Sequence, residues 1–259
     1  MVANSELRIL NILSGSNQGG AEKFFERLSI AFEKKKNIKQ KIIMRRSENR
    51  YKILNKNIVD IYQVNFFNFL NPILHYQIKQ IIKKFKPHII MTWMNRASKI
   101  LPSLKFVDEL KIGRLGGYYK IKNYANCDYL VVNTPDIKRY VIEKGWDPLR
   151  VVCIPNFVET YNNKSNENQE DILLCMGRFH ENKAFDIIIK AMPYLPNFKL
   201  WLVGDGKLEK FYKDLIFKLN LSSRVKIFSW TNEISEYLSK CKILICPSRH
   251  EPFGNIVVD

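Results

Sequence analysis

No apolar run in the chain approaches the ~18–20 residues that a bilayer-spanning helix requires. The early stretch LRILNILS follows a weak, nearly uncharged start and is strand-sized, so neither a membrane span nor a cleaved signal segment is expected. Metal chemistry has little to work with, because the four histidines are scattered without ligand spacing. The five cysteines, Cys127, Cys153, Cys175, Cys241 and Cys246, are odd in number and form no C-x-x-C pair. Four of them sit in apolar runs such as VVCIP and LLCMG, which reads as buried reduced thiols of a cytoplasmic protein. No G-x-G-x-x-G dinucleotide fingerprint is present. Helix-turn-helix and zinc signatures are also missing, and aromatics do not interleave with the basic residues in any recognised RNA-binding pattern, which argues against a nucleic-acid partner.

Acidic residues are in short supply. Asp and Glu number 25 against 42 Lys and Arg, for a formal charge of +17 over 259 residues. The excess is uneven: residues 1–160 carry 28 basic against 13 acidic side chains, and residues 161–259 carry 14 against 12. Such asymmetry suggests that the first half meets an anionic surface or ligand. A composition rich in Ile, Asn and Lys, as an AT-rich genome encodes, is the alternative source of the charge. An apolar fraction of 46% and an aromatic fraction of 12% place the chain among globular proteins rather than disordered ones.

What the chain does have is alternation of strand and helix. LRILNILS is followed by AEKFFERLSIAFEKKK, with Phe24, Leu28, Ala31 and Phe32 at helical spacing. QKIIMRR, HIIMTWM, CDYLVVNT and RVVCIPN read as further strands. Thr134-Pro135-Asp136 supplies an N-cap, a proline at the first helical position and an acidic first turn. The polar stretch ETYNNKSNENQED lacks periodicity and reads as a linker. Alternation then resumes through ILLCMGR, AFDIIIKAM, FKLWLVGDG, KLEKFYKDLIFKLN, RVKIFSW and KILICPS. Near-continuous apolar strands separated by helices imply parallel sheets covered on both faces. The expectation is an α/β protein of two doubly wound, Rossmann-like domains facing a cleft: residues 1–160, a linker at 161–171, and residues 172–259.

In such sheets, ligands gather beyond the carboxyl ends of the strands. Four loops there are informative. SGSNQGGAEKFF, with Gly15, Gly19 and Gly20, lets the backbone approach a ligand at a helix start, or simply makes a tight turn. MGRFHENKAFD carries Arg178 and Lys183, a fork and a point charge that suit a diphosphate, with two solvated cations as the ordinary alternative. LVGDGKLEK offers Gly204 and Gly206 for a tight turn near ligand. PSRHEPFGNIVVD places Glu251 before a Pro252–Asn255 turn and a helix start, eight residues ahead of Asp259. Backbone amides from Gly254 to Ile256 could hold phosphate oxygens. The two carboxylates suit vicinal hydroxyls on separate parts of one long ligand.

Taken in order, GGAE, GRFHENKAFDIIIKAM, LVGDG and CKILICPSRHEPFGNIVVD resemble the retaining GT-B glycosyltransferases called family 4 or group 1. The last segment resembles their acid-x7-acid motif, with Asp259 where a Glu is usual. The resemblance implies a nucleotide-diphosphate sugar as substrate, with no cofactor and no obligatory metal. It implies that Arg178 and Lys183 bind the diphosphate and stabilise the leaving group, while Glu251 contacts the donor sugar and Asp259 the ribose. Phe253, Gly254 and Asn255 would line sugar and phosphates, Gly204 would turn close by, and Gly19 and Gly20 would approach from the first domain. Many relatives carry a histidine after a strand like HIIMTWM, whereas Trp93, Asn95 and Arg96 stand there in this chain.

The resemblance further implies an envelope glycan or lipid acceptor and a cytoplasmic location at the inner face of the membrane. IKQIIKKFK is the candidate membrane-facing surface, with a solvated helix face as its alternative. Relatives continue past the acid-x7-acid motif, so the second domain is expected to be incomplete, by roughly 60–80 residues from ordinary domain sizes. Two other readings remain: a non-catalytic remnant or split-gene fragment of such an enzyme, and a basic nucleic-acid-binding protein.

Overall fold

The computed structural model describes residues 6–15, 19–58, 60–66, 72–101, 109–157, 170–231 and 233–258. The chain divides into two compact units, Met1–Phe157 and Val158–Asp259. Among the described residues no helix is long and apolar enough to cross a membrane.

The first unit alternates β1 (Leu7–Leu13), α1 (Gly20–Glu33), β2 (Ile38–Arg45), α2 (Glu48–Leu54), β3 (Ile61–Val64), α3 (Pro72–Phe85), β4 (Ile89–Trp93), α4 (Met94–Ile100), β5 (Leu110–Leu115), β6 (Tyr129–Val132), α5 (Pro135–Glu143) and β7 (Val151–Cys153). Its seven strands run parallel in the order β3-β2-β1-β4-β5-β6-β7. Apolar residues of β1 alternate between two cores, as a sheet covered on both faces requires. Leu10 and Ile12 pack with α3, α4 and α5, while Leu13 packs with α1 and α2. The predicted start of α5 is present, with Thr134 Oγ1 accepting from the Ile137 amide at 3.2 Å.

The apolar stripe expected on α1 is met in part, by Phe24 and by Leu28, which packs against the same core. Phe24, Phe25 and Ser29 are buried together with Glu22, while Leu28, Ala31 and Phe32 are only half-buried. Phe25 stacks edge-on against Trp93 at 5.1 Å, and the Ser29 carbonyl accepts from the Gln40 side chain. These partners bring in side chains that spacing alone did not pick out.

Arg114, near the end of β5, is 5% exposed. It donates to Ile154 O at 2.8 Å and Asn156 Oδ1 at 2.6 Å, and lies 5.2 Å above the Phe24 ring. Burial pulls its pKa down to about 10, so it stays charged at neutral pH. The guanidinium therefore ties down the chain leaving β7. Arg114→Ala should destabilise the protein by about 3 kcal/mol, read by chemical denaturation, because two charged hydrogen bonds and the packing of a buried guanidinium on Phe24 are lost together.

The second unit alternates β8 (Glu170–Met176), α6 (Phe185–Ala191), β9 (Lys199–Val203), α7 (Glu209–Lys218), β10 (Val225–Phe228), α8 (Ile234–Lys240), β11 (Cys241–Leu244) and α9 (Asn255–Val258). Its strands are parallel in the order β10-β9-β8-β11. The first strand starts at Glu170, so Glu170 and Asp171 are strand where a linker was expected. Their carboxylates pair across the sheet, Glu170 with Lys199 of β9 and Asp171 with Lys242 of β11. Both pairs are exposed and contribute little, so the backbone pairing of β8 with its neighbours carries this polar start.

All five cysteines are free thiols; Cys127, Cys175 and Cys241 are buried, Cys153 is partly covered, and Cys246 is exposed. Burial pushes the thiols of Cys127 and Cys175 up to about 12, which leaves them unreactive. Exposed Cys246 departs from the expectation of buried thiols, because it follows the end of β11 in a loop.

Candidate functional site

In the second unit the chain leaves β8 toward β9 and β10 on one side, then returns to β11 on the other. The loops after β8 and β11 therefore flank a topological switch point, where ligand crevices form in open parallel sheets. Both carry residues that the sequence singled out.

The β8 loop runs from Gly177 through a 3-10 turn at Glu181–Lys183 to Ala184, whose φ is 52°. Phe179 anchors it, fully buried between Phe185 at 5.8 Å and Tyr212 at 5.4 Å. The Phe179 amide donates to Asp205 O at 2.6 Å, which fastens this loop to the one after β9. Gly204 sits at that junction with φ 155°; a Cβ there would overlap Gly177 O and lie 3.0 Å from its carbonyl carbon. Only glycine allows the two backbones to pass this closely. The resulting turn leaves Arg178 exposed on the loop. It lays the stem of Lys183 along Gly177, where a Cβ would stand 3.4 Å from Lys183 Cε.

The ammonium of Lys183 meets Oε2 of Glu251. These side chains lie 68 positions apart in sequence, yet each is only about a quarter exposed. Ser248 Oγ donates to the same carboxylate oxygen at 3.1 Å. Beyond Glu251, Phe253 and Asn255 are half-buried and Gly254 is buried at the turn into α9. Ile256 packs on Ile172, Leu174, Met176, Val203 and Cys241, which seats the short helix on the sheet. Asp259 lies outside the described residues.

Arg249, which no sequence motif singled out, joins the two loops. Its amide donates to Asn182 O at 2.8 Å, its Nη1 to Glu181 O at 2.7 Å, and its Nη2 to Asp186 Oδ2 at 3.1 Å. Burial alone would raise the Asp186 carboxyl, but the Arg249 fork prevails and holds it below the usual range. A depressed carboxylate contributes stability above its unfolded pKa and loses it as pH falls through the folded value. The Arg249–Asp186 pairing should therefore persist to pH values below the ordinary Asp range. Arg249 stands two residues before Glu251, but nothing in the sequence spacing links it to Asp186.

In the first unit, Gly19 and Gly20 open α1 just beyond β1. Glu22 in the first turn is buried, and a Cβ on Gly15 would lie 2.8 Å from its Cγ. Trp93 Nε1 donates to Asn11 Oδ1 at 3.2 Å, and Asn95 Oδ1 accepts from Asn123 at 2.6 Å. Those two side chains serve packing, while Arg96 is exposed.

Residues 157–259 match the model of the family described as glycosyl transferases group 1. Over 251 residues the chain is 31% identical to the lipopolysaccharide core biosynthesis glycosyltransferase LpsE of Rhizobium meliloti (strain 1021), covering 93% of this chain and 72% of that relative. The chain belongs to the group 1 glycosyltransferases. LpsD of the same organism, also a lipopolysaccharide core biosynthesis glycosyltransferase, is 30% identical over 96% of this chain and 74% of its own length. Among solved structures, Anabaena HepE in complex with UDP and glucose superposes with a TM-score of 0.82 at 17% identity, over 97% of this chain and 77% of that one. A glycosyltransferase from Rickettsia africae gives 0.75 at 21% identity, over 94% and 73%. These neighbours share the α/β parallel-sheet fold of GT-B glycosyltransferases. As a group 1 glycosyltransferase, the protein is an enzyme of glycosyl transfer.

Proposed function

We propose that this enzyme moves a sugar from a nucleotide-diphosphate donor to a lipopolysaccharide-type acceptor of the cell envelope, with retention of anomeric configuration, as in family 4. The observation that carries the reading is the contact between Lys183 and Glu251 at the ends of β8 and β11. A cation suited to a diphosphate and a carboxylate suited to sugar hydroxyls are adjacent, as a single diphosphate-sugar requires. UDP and glucose bound in HepE, and the lipopolysaccharide core biosynthesis for which LpsE and LpsD are named, favour the same substrate classes.

In this reading an acceptor hydroxyl oxygen bonds to the anomeric carbon as the bond from that carbon to the β-phosphate oxygen breaks. Negative charge develops on the departing diphosphate, which takes up the hydroxyl proton. Arg178 and Lys183 take up that charge electrostatically, so the reading needs neither a metal nor a cofactor. Glu251 accepts hydrogen bonds from the donor sugar and Asp259 from the ribose. The backbone at Phe253, Gly254 and Asn255 borders the phosphates, with Gly204 beneath. Gly19 and Gly20, at the start of α1 in the first domain, are the remaining proposed donor-binding residues. Incubating the protein with UDP-, GDP- and ADP-sugars and a core-truncated lipopolysaccharide, and following the product anomer by NMR, tests this. Transfer with the donor's anomeric configuration is expected; an inverted product, or transfer unchanged by Glu251→Ala, contradicts it.

Peripheral attachment to an anionic membrane belongs to the same proposal, in preference to a nucleic-acid partner. Helix α3 turns Leu74, Ile78, Ile82 and Phe85 inward. Outward it presents Ile73 and Tyr76, 65% and 63% exposed, followed by exposed Lys79, Lys83 and Lys84. No Asp or Glu occurs in the sequence between Asp60 and Asp108. Each lysine near an anionic surface contributes about 1 kcal/mol, so Lys79→Gln with Lys83→Gln and Lys84→Gln should weaken vesicle binding by up to about 100-fold at low salt. Co-sedimentation with phosphatidylglycerol vesicles reads this; equal binding to phosphatidylcholine vesicles would contradict it.

A further inference from the structure

Lys183 is a long side chain on a 3-10 turn, and a flexible ammonium keeps a fixed address only if its backbone is fixed. That turn is not held by its own short hydrogen-bond ladder alone. Arg249 reaches it from the β11 loop, grips the carbonyls of Glu181 and Asn182, and bonds the Asp186 carboxylate in the first turn of α6. Both guanidinium ends approach Asp186 Oδ1 at 3.3 Å as well. The gripped residues bracket Lys183 on both sides. On its own strand-end loop, Arg249 stands two positions before Glu251, the partner of Lys183.

We infer that Arg249 is a positioning residue of the donor site: by clamping Glu181, Asn182 and Asp186 to the β11 loop, it sets Lys183 against Glu251. What the Lys183–Glu251 pair then binds rests on the function proposed above; the clamp itself does not. Its fork is taken up by protein acceptors, so Arg249 acts through Lys183 and not by meeting the diphosphate. A lysine at 249 would keep the charge but could not reproduce the planar, divergent set of bonds.

Two readouts test this without knowledge of the donor base. The first is the rate at which an amine-reactive reagent labels Lys183, resolved by peptide mass spectrometry, with exposed Lys210 as internal control. The second is affinity for inorganic pyrophosphate by calorimetry. In Arg249→Ala, Lys183 should label several-fold faster while Lys210 is unchanged, and pyrophosphate affinity should fall about tenfold, in the range of couplings between contacting residues. In a Lys183→Ala background the further effect of Arg249→Ala on affinity should drop below about twofold. Arg249→Lys should remain defective, and Asp186→Asn should give an intermediate loss. Unchanged Lys183 labelling, full rescue by lysine, or equal acceleration at Lys210 would overturn the inference. Faster Lys183 labelling with no pyrophosphate binding by the unmodified protein would uphold the clamp and sink the donor-site reading instead.

Discussion

Lys183→Ala is expected to lower kcat/KM by about 10²–10³-fold, the range seen when a preorganised donor to developing negative charge is removed. The loss should fall mainly on kcat, because the diphosphate carries more localised charge as its bond to the sugar breaks. Stability should change little. Glu251 is about a quarter exposed and keeps its hydrogen bond from Ser248, so losing Lys183 does not strand a buried charge. Lys183→Arg should not restore activity, since its stem runs along Gly177 and a guanidinium at the end of that track would be both larger and differently directed. A kcat/KM within threefold of the unmodified enzyme, from protein with an unchanged melting temperature, would remove Lys183 from the chemistry.

Gly204→Ala should be the most damaging single methyl group in the second unit. The added Cβ would meet the Gly177 carbonyl, a backbone atom that cannot swing aside, in a conformation with φ 155°. Strained backbone and overpacking each cost roughly 1–3 kcal/mol. Together they should lower the melting temperature by about 10 °C. Because Gly177 carries the Lys183 stem, donor binding should fail in parallel. Gly145→Ala is the matched control, with φ 91° but nothing within 4 Å of the new Cβ. It should cost no more than the backbone strain, about 1 kcal/mol. Equal effects from the two substitutions would mean that strain, and not the crossing of two loops, governs Gly204.

Strand and helix alternation was legible where a strand is nearly all apolar, as in β1, β4 and β9, whereas the short β3, with Gln63, and β5, with Lys111 and Arg114, carry too little apolar signal and went unread. Arg178, Lys183 and Glu251 were legible as loop residues after strands, and the motif order tied them to one family. The Arg249–Asp186 clamp was not legible, because it joins residues 63 positions apart through side-chain geometry that no spacing rule encodes. The α1 stripe was legible only in part, for a related reason. Phe24 and Leu28 do face the core, but Trp93 and Gln40 from the sheet bring Phe25 and Ser29 in beside them, which hydrophobic spacing did not single out. Glu170 likewise looks like linker until its cross-strand lysine is known.

The most direct test of the central claim, that the second unit holds a nucleotide-diphosphate sugar at Lys183 and Glu251, is a calorimetric titration of the protein with UDP-, GDP- and ADP-sugars. Arg178→Ala and Glu251→Ala are titrated alongside. The account predicts saturable binding of one donor class, with both substitutions abolishing it or weakening it at least about tenfold, as loss of charged hydrogen bonds implies. Binding that is unchanged in both variants, or no binding of any donor by the folded protein, would contradict it.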